Sequence, residues 1–334
     1  MDPTIAWACI VALSVLAYVV LDGFDLGVGI LFAAESDDAD RETMVGSIAP
    51  VWDGNETWLV LGGGSLLAVF PLAYATILPA LYIPVMGMLL ALVFRGVAFE
   101  FRFRAPTRRG RRAWDLSFMC GSVIAALCQG FILGGILQGI KVSGRAFAGG
   151  QWDWLAPFPV ACGISLVVGY ALLGSTWLVL KTEGPLQDRC RAHALRLGAA
   201  TLGAIVVVSL WTPFLHPRFA ERWFGTPGIF LTSPVPALVA LLAWRGMCGL
   251  RRGDELAPFL CALGWFILCF AGIGISIYPL AVPPDIDIWM AAAPRSSQVF
   301  LLSGACVLIP VVLAYTAVSY RVFRGKVRPG MHGH

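Results

Sequence analysis

IAWACIVALSVLAYVVLDGFDLGVGILFA, residues 5–33, is apolar almost throughout, with Asp22 and Asp25 as its only charges. A hydrocarbon core about 30 Å thick takes roughly 20 helical residues at about 1.5 Å each, so this stretch is long enough to cross a bilayer. It lacks the basic start and small-residue cleavage site of a secretory leader, and its length predicts a permanent helix. Its apolar residues run on without alternating, which argues against a barrel strand, since backbone in lipid must pair within its own segment or around a closed sheet.

The same ruler finds eight further spans. Approximate limits are 5–33, 52–75, 78–99, 116–140, 156–180, 194–215, 229–248, 257–281 and 298–322, with a tight turn near Pro79 between the second and third. The 334 residues are 58% hydrophobic and 13% charged, with a mean hydropathy of +0.78, far too apolar to cover their own surface in water. No interruption has an apolar period of its own, so 1–334 reads as a single integral membrane domain, all-α and polytopic.

Lys and Arg normally concentrate in cytoplasmic loops. Connections after odd-numbered spans, together with the C-terminal tail, hold Arg41; Arg102, Arg104, Arg108, Arg109, Arg111 and Arg112; Lys181, Arg189, Arg191 and Arg196; Arg245, Arg251 and Arg252; and Arg321, Arg324, Lys326 and Arg328. The opposite side holds only Lys141, Arg145, Arg218, Arg222 and Arg295, and Arg95 lies within a span. This asymmetry predicts an external N-terminus and a cytoplasmic C-terminus. It also explains the net charge of +4 without nucleic acid as a partner.

With that orientation Asp22 and Asp25 fall toward the cytoplasmic end of the first span, Asp53 and Glu56 open the second there, and Arg95 and Glu100 end the third. Each acidic pair is spaced i, i+3, which puts its two carboxylates on one helix face. A charge at bilayer depth costs about 2.5–3.5 kcal/mol on insertion scales, so such residues usually face a bundle interior and line ion or proton routes. Asp53 stands out because Trp52, Gly54 and Asn55 offer an aromatic, a flexible backbone and an amide suited to holding water beside a carboxylate. A plainer reading stays open, in which Asp53, Glu56 or Glu100 caps a helix or pairs with Arg95.

The nine cysteines show no CxxC spacing and read as small packing residues, and Gly23, Gly27, Gly134 and Gly135 as sites of close helix approach. A membrane haem needs axial ligands from packed helices. The histidines are His193, His216, His332 and His334, two near span ends and two in the tail, while Met86 and Met88 read as packing. The chain is therefore expected to anchor no haem and no metal by itself, with His216 either a ligand at the outer surface or a solvated cap.

In order, LDGFDLGVGIL (21–31), SIAPVWDGNETWLV (47–60), FRGVAFEFR (94–102), ILQG (136–139) and SSQ (296–298) resemble the pattern of subunit II of the cytochrome bd-type quinol oxidases, from the first span to the ninth. The compact length, without a long insertion between spans six and seven, resembles the cyanide-insensitive branch. The resemblance implies nine transmembrane helices built as two four-helix bundles plus one peripheral helix, packed against a haem-bearing subunit I in the bacterial cytoplasmic (inner) membrane. It implies that quinol is oxidised near the outer face, that electrons pass through three haems, and that oxygen is reduced to water, with the haems and the quinol-oxidising loop in subunit I. It further implies that Asp53, matching the aspartate of the WDGN motif, lies on a proton route from the cytoplasm, with Asp22 and Asp25 matching the DGFD acids.

Beside these, Glu56 and Glu100 are expected on the route by position, with Arg95, Trp52 and Asn55 as support. A small single-helix accessory subunit and membrane lipid are further candidate partners. One departure concerns the loop before the ninth span, where relatives place an acid directly after tryptophan and this chain reads Asp287, Ile288, Trp289, Met290, leaving Asp285 and Asp287 as substitutes. Two other readings stand beside the oxidase subunit: a secondary transporter with a cytoplasmic carboxylate cluster, and a scaffold without a proton role.

Overall fold

The computed structural model describes residues 2–226 and 228–327; Arg328, His332 and His334 lie outside them. Helix α1, Pro3–Leu31, starts where the Asp2 side chain accepts the Thr4 N–H and Pro3 supplies a pre-set first turn. The other long helices are α3 (Trp52–Val69), α5 (Tyr82–Arg102), α6 (Arg108–Gln138), α7 (Pro157–Lys181), α8 (Gly184–Trp211), α11 (Pro234–Arg252), α12 (Leu256–Ile277) and α14 (Arg295–Val322). Short helices α2 (Asp38–Ile48), α4 (Pro71–Ala80), α9 (Pro217–Phe224), α10 (Gly228–Thr232) and α13 (Ile288–Ala291) join them, with two small antiparallel hairpins, 142–147 and 280–287. Among the described residues eight helical segments are long and apolar enough to cross a membrane, and α3 with α4 makes a ninth if that bent pair is one span.

That pair corrects the second expected span. Helix α3 stops at Val69, the chain turns by 117°, and α4 leads away at a steep angle before Leu81 starts the return. Pro71 explains the break, because a ring without an N–H cannot continue the preceding helix, and the turn expected near Pro79 is the single residue Leu81 between α4 and α5. The starts of α6 and α8 also precede the expected 116 and 194, through charged residues that are good helix formers. Apolarity marks where a helix meets lipid, not where it begins. Helix α2, which hydropathy does not reveal, is capped by Asp37, which accepts the Ala39 N–H at 2.7 Å.

Helices α1, α3, α5 and α6 pack together, α7, α8, α11 and α12 form a second group, and α14 lies outside against α1 and α3. The seam between the groups runs along α1, α6 and α7. A Cβ on Gly27 would strike the Tyr170 carbonyl and one on Gly174 would strike the Gly27 backbone, so two backbones touch where only glycine fits. Helix α14 is largely exposed and is tied at both ends. At its start Thr4 Oγ1 donates to Gln298 Oε1 at 3.2 Å and Trp7 Nε1 donates to the Gln298 carbonyl at 3.0 Å, which gives the SSQ motif a structural role. Beyond its end Lys181 Nζ donates to the Phe323 carbonyl at 2.7 Å, and Lys326 pairs with Glu255 at 2.8 Å.

Candidate functional site

One end of the molecule gathers the arginine-rich connections, and the charged residues of α1, α3 and α5 converge inside the first bundle on that side. Asp22 lies well within α1, nine residues before Leu31 or about 13 Å at 1.5 Å per residue, and Asp25 one turn nearer the basic end. Both carboxylates are fully buried and Arg95 of α5 is 1% exposed. Arg95 Nη1 donates to Asp22 Oδ1 at 2.8 Å and to Glu56 Oε1 of α3 at 3.0 Å. Glu56, 27% exposed at its side chain, is the member of this trio that reaches solvent or lipid.

Asp25 is held differently. Asn55 Nδ2 donates to Asp25 Oδ2 at 2.7 Å and to the Leu21 carbonyl at 3.2 Å, and Tyr320 of α14 donates its hydroxyl to Asn55 Oδ1 at 3.0 Å. Gly54 makes room for that approach, since a Cβ there would come 3.3 Å from the Tyr315 ring of α14. A second polar chain adjoins Asp22 one turn along α1: Tyr170 donates to Gln129 Oε1 at 2.7 Å and Gln129 Nε2 donates to the Tyr18 hydroxyl at 2.8 Å. Asp22 Oδ2, Asp25 Oδ1 and Arg95 Nε and Nη2 are buried without a protein partner. One guanidinium thus pairs with the buried Asp22 and the partly exposed Glu56, while Asp25 is held by Asn55.

The structure brings together Asp22, Asp25, Asn55, Glu56 and Arg95, and leaves Asp53 and Glu100 on the outside. Asp53 is exposed in the first turn of α3, heading a stripe with Thr57, Val60, Gly63, Gly64, Leu67 and Ala68, and nothing lies within 4 Å of a Cβ built on Gly63 or Gly64. Glu100 is exposed at the end of α5, and Trp52 packs on Phe99 with ring centroids 5.0 Å apart. The i, i+3 spacing that puts Asp53 and Glu56 on one helix face does not give them one environment: about 60° apart around α3, Glu56 turns inward to Arg95 while Asp53 stays on the rim. Tyr320, Tyr18, Gln129 and Tyr170 belong to no motif of the sequence. Tyr18 carries a local signal, four residues before Asp22 on the same helix face; Tyr320 carries none, being brought in from the far end of the chain.

Nearer the basic end Arg102 Nε donates to Asp115 Oδ1 at 2.5 Å and Arg41 Nη1 to Asp115 Oδ2 at 3.0 Å, joining α5, α6 and α2. At the opposite end Gly139, at φ +95°, ends α6 in a conformation that favours glycine. His216 Nε2 lies 3.1 Å from the Gln138 carbonyl just before it, so the histidine and the ILQG motif meet in a helix-end contact. Asp287 caps α13 by accepting the Met290 N–H at 2.7 Å, and Asp285 is exposed. Trp289 Nε1 donates to Asp2 at 2.8 Å, and with the Thr4 N–H this holds the Asp2 carboxyl below the usual carboxylate range. Among the described residues no group of three or more His, Cys, Asp or Glu side chains is placed to hold a metal ion.

The same arrangement of helices is found in known proteins. The sequence profile described as cytochrome bd terminal oxidase subunit II matches residues 3–323. The cytochrome bd-I ubiquinol oxidase subunit 2 of Escherichia coli K12 is 27% identical, with 96% of this chain and 94% of that protein covered. The cytochrome bd ubiquinol oxidase subunit 2 of Bacillus subtilis 168 is likewise 27% identical, with 96% of each covered. Among solved structures, a chain of the bd oxidase from Geobacillus thermodenitrificans superposes with a TM-score of 0.80 over 97% of this chain and 99% of that one, at 15% identity, which speaks for the fold. With eight membrane-length apolar helices and one bent pair among the described residues, the DGFD and WDGN motifs meeting at one buried site, and a family profile covering nearly its whole length, the chain belongs to the cytochrome bd terminal oxidase subunit II family.

Proposed function

We propose that this chain works as the subunit II of a bd-type quinol:oxygen oxidoreductase, supporting assembly with a haem-bearing subunit I and supplying the proton-uptake route for oxygen reduction. The observation that carries this reading is the buried group of Asp22, Asp25 and Arg95, with the partly exposed Glu56 paired to Arg95 and Asp53 exposed one turn earlier on the same helix. Burying two carboxylates beside one cation, only one of them paired with it, is costly for a fold that merely needs to stand, and such intramembrane groups ordinarily mark proton or ion paths. The excess of Lys and Arg at the same end orients that end to the cytoplasm, with the N-terminus outside. Protons are then taken from the inside while quinol protons leave outside, and each charge so separated stores about 2.3 kcal/mol per 100 mV.

In this reading the three haems and the quinol site belong to subunit I. The exposed small-residue stripe of α3, headed by Asp53, is where a helix of subunit I approaches closely enough to receive protons. The experiment replaces Asp53 by Asn and Glu56 by Gln in the complete oxidase. Oxygen consumption is expected to fall at least fivefold in each while the haem spectrum of the purified complex stays unchanged. A normal rate in both would leave the chain a scaffold.

A further inference from the structure

The two acids of the DGFD motif sit one turn apart and meet different partners. Asp22 faces a guanidinium at 2.8 Å, whereas the described partner of Asp25 is the neutral amide of Asn55 at 2.7 Å. Resting on the proton-uptake reading above, we infer that the pair divides the work: Asp22 is the fixed counter-ion of Arg95, Asp25 carries the proton, and Tyr320 positions Asp25 by orienting the Asn55 amide.

The argument is one of satisfiable partners. Protonating Asp22 would leave a buried Arg95 with only the partly exposed Glu56 opposite it, and a buried charge that loses its partner is among the most destabilising changes known. Protonating Asp25 breaks no ion pair. An amide N–H donates equally well to a carboxylate oxygen or to the carbonyl oxygen of a carboxylic acid, so the Asn55 contact to Oδ2 survives in both states. The other oxygen, Oδ1, is buried and unpartnered, which leaves it free to take up the proton and give it on. The transfer is balanced: one proton arrives from the basic end, forms an O–H bond at Asp25, and leaves as that bond breaks.

Asn55 serves this only if its amide faces the right way. Its Nδ2 has the Leu21 carbonyl and Asp25 as acceptors, and the Tyr320 hydroxyl, a donor at 3.0 Å, holds Oδ1 on the opposite side. Tyr320 comes from an otherwise loosely packed helix whose following segment is fastened by Lys181 and Lys326. Its ring sits edge-on to Phe24, the residue before Asp25, with centroids 6.4 Å apart. A peripheral helix thus completes the interior of the first bundle.

The test is infrared spectroscopy of the intact two-subunit complex in H2O and D2O, recording the C=O stretching band of a protonated carboxyl, alongside oxygen consumption. Asp25→Asn is expected to abolish a D2O-sensitive band and to slow turnover at least tenfold. The pair Asp22→Asn with Arg95→Gln, which removes anion and cation together, is expected to keep the band and a quarter or more of the rate. Tyr320→Phe is expected to assemble normally, shift the band, and slow turnover two- to fivefold. Survival of the band in Asp25→Asn, or its loss in the Asp22/Arg95 pair, overturns the division. An unshifted band in Tyr320→Phe overturns the role given to Tyr320. Should the band behave as expected while every variant, including Asp53→Asn, respires at the normal rate, the uptake reading falls and the division of charge stands.

Discussion

The two helix bundles of this chain solve the same problem in lipid with opposite interiors. Between α7, α8, α11 and α12 lies a cavity of about 20 Å³ lined by Leu172, Ala194, Gly198, Ala243, Gly246 and Trp265 among others, and the Thr176 hydroxyl beside it is spent on the Leu172 carbonyl. A space of that size has room for one water, but its lining is almost wholly apolar and offers few polar partners. Charges of this bundle stay at its basic end, where Arg191 caps the Leu250 and Asp254 carbonyls and Arg245 pairs with Asp254. The first bundle instead keeps Arg95, Asp22 and Asp25 buried about two turns or more inside its helices. Small residues and van der Waals contact are enough to hold helices together in a membrane. The first bundle carries buried charge that cohesion of this kind does not require.

The sharpest way to break this comparison is at the seam both bundles share. Gly27→Val should prevent accumulation of the complex altogether, measured as haem-bearing oxidase per milligram of membrane, because the added carbons must occupy the Tyr170 carbonyl. Next comes Arg95→Leu, which leaves Asp22 and Glu56 without their cation. Removing one partner of a buried pair costs about 3–5 kcal/mol, so complex yield and thermal stability should both drop steeply. The apolar second bundle should be far more tolerant. Ala243→Val, placed at its cavity, is expected to change stability by about 1 kcal/mol or less in either direction, and respiration per assembled complex should not change. A fall in that rate would show that the second bundle is not merely cohesive.

The smallest effect belongs to the strap behind α14. Lys326, donating to Glu255, holds that carboxyl below its ordinary value, with Gln187 helping. A depressed folded value means that the stabilisation is present above the unfolded range near pH 4.5 and is lost as pH falls through the folded value. Because both groups are partly exposed, Lys326→Ala should cost less than about 1 kcal/mol at neutral pH. The difference from the unaltered protein in a detergent melting experiment should shrink as the pH is lowered below the ordinary value of 4.5 and through the depressed folded value.

Legibility in the sequence depends on the kind of signal. The spans are readable because lipid imposes one requirement, continuous apolarity, along the whole of each segment. The second span is misleading because hydropathy runs smoothly through Phe70 and Pro71 while the backbone turns there. The pairing of Glu56 with Arg95 lies within reach of sequence reasoning, being part of the plainer reading in which Asp53, Glu56 or Glu100 caps a helix or pairs with Arg95. The inward turn of Glu56 and outward turn of Asp53 do not, since which face of α3 meets α1 is set by the other helices. Tyr320, separated from Asn55 by most of the length of the protein, lies beyond any local pattern.

By itself the sequence determined that this is a helical membrane protein, which segments are apolar enough to meet lipid, which connections are basic, and which motifs tie it to its family. Those are one-dimensional quantities, fixed by the cost of each residue in lipid or at its edge. Only the tertiary structure decided which carboxylate meets the guanidinium, which meets an amide, and which stays on the rim. Partnership at hydrogen-bond distance depends on the rotation of each helix about its axis, and that is settled by packing among helices distant in the chain.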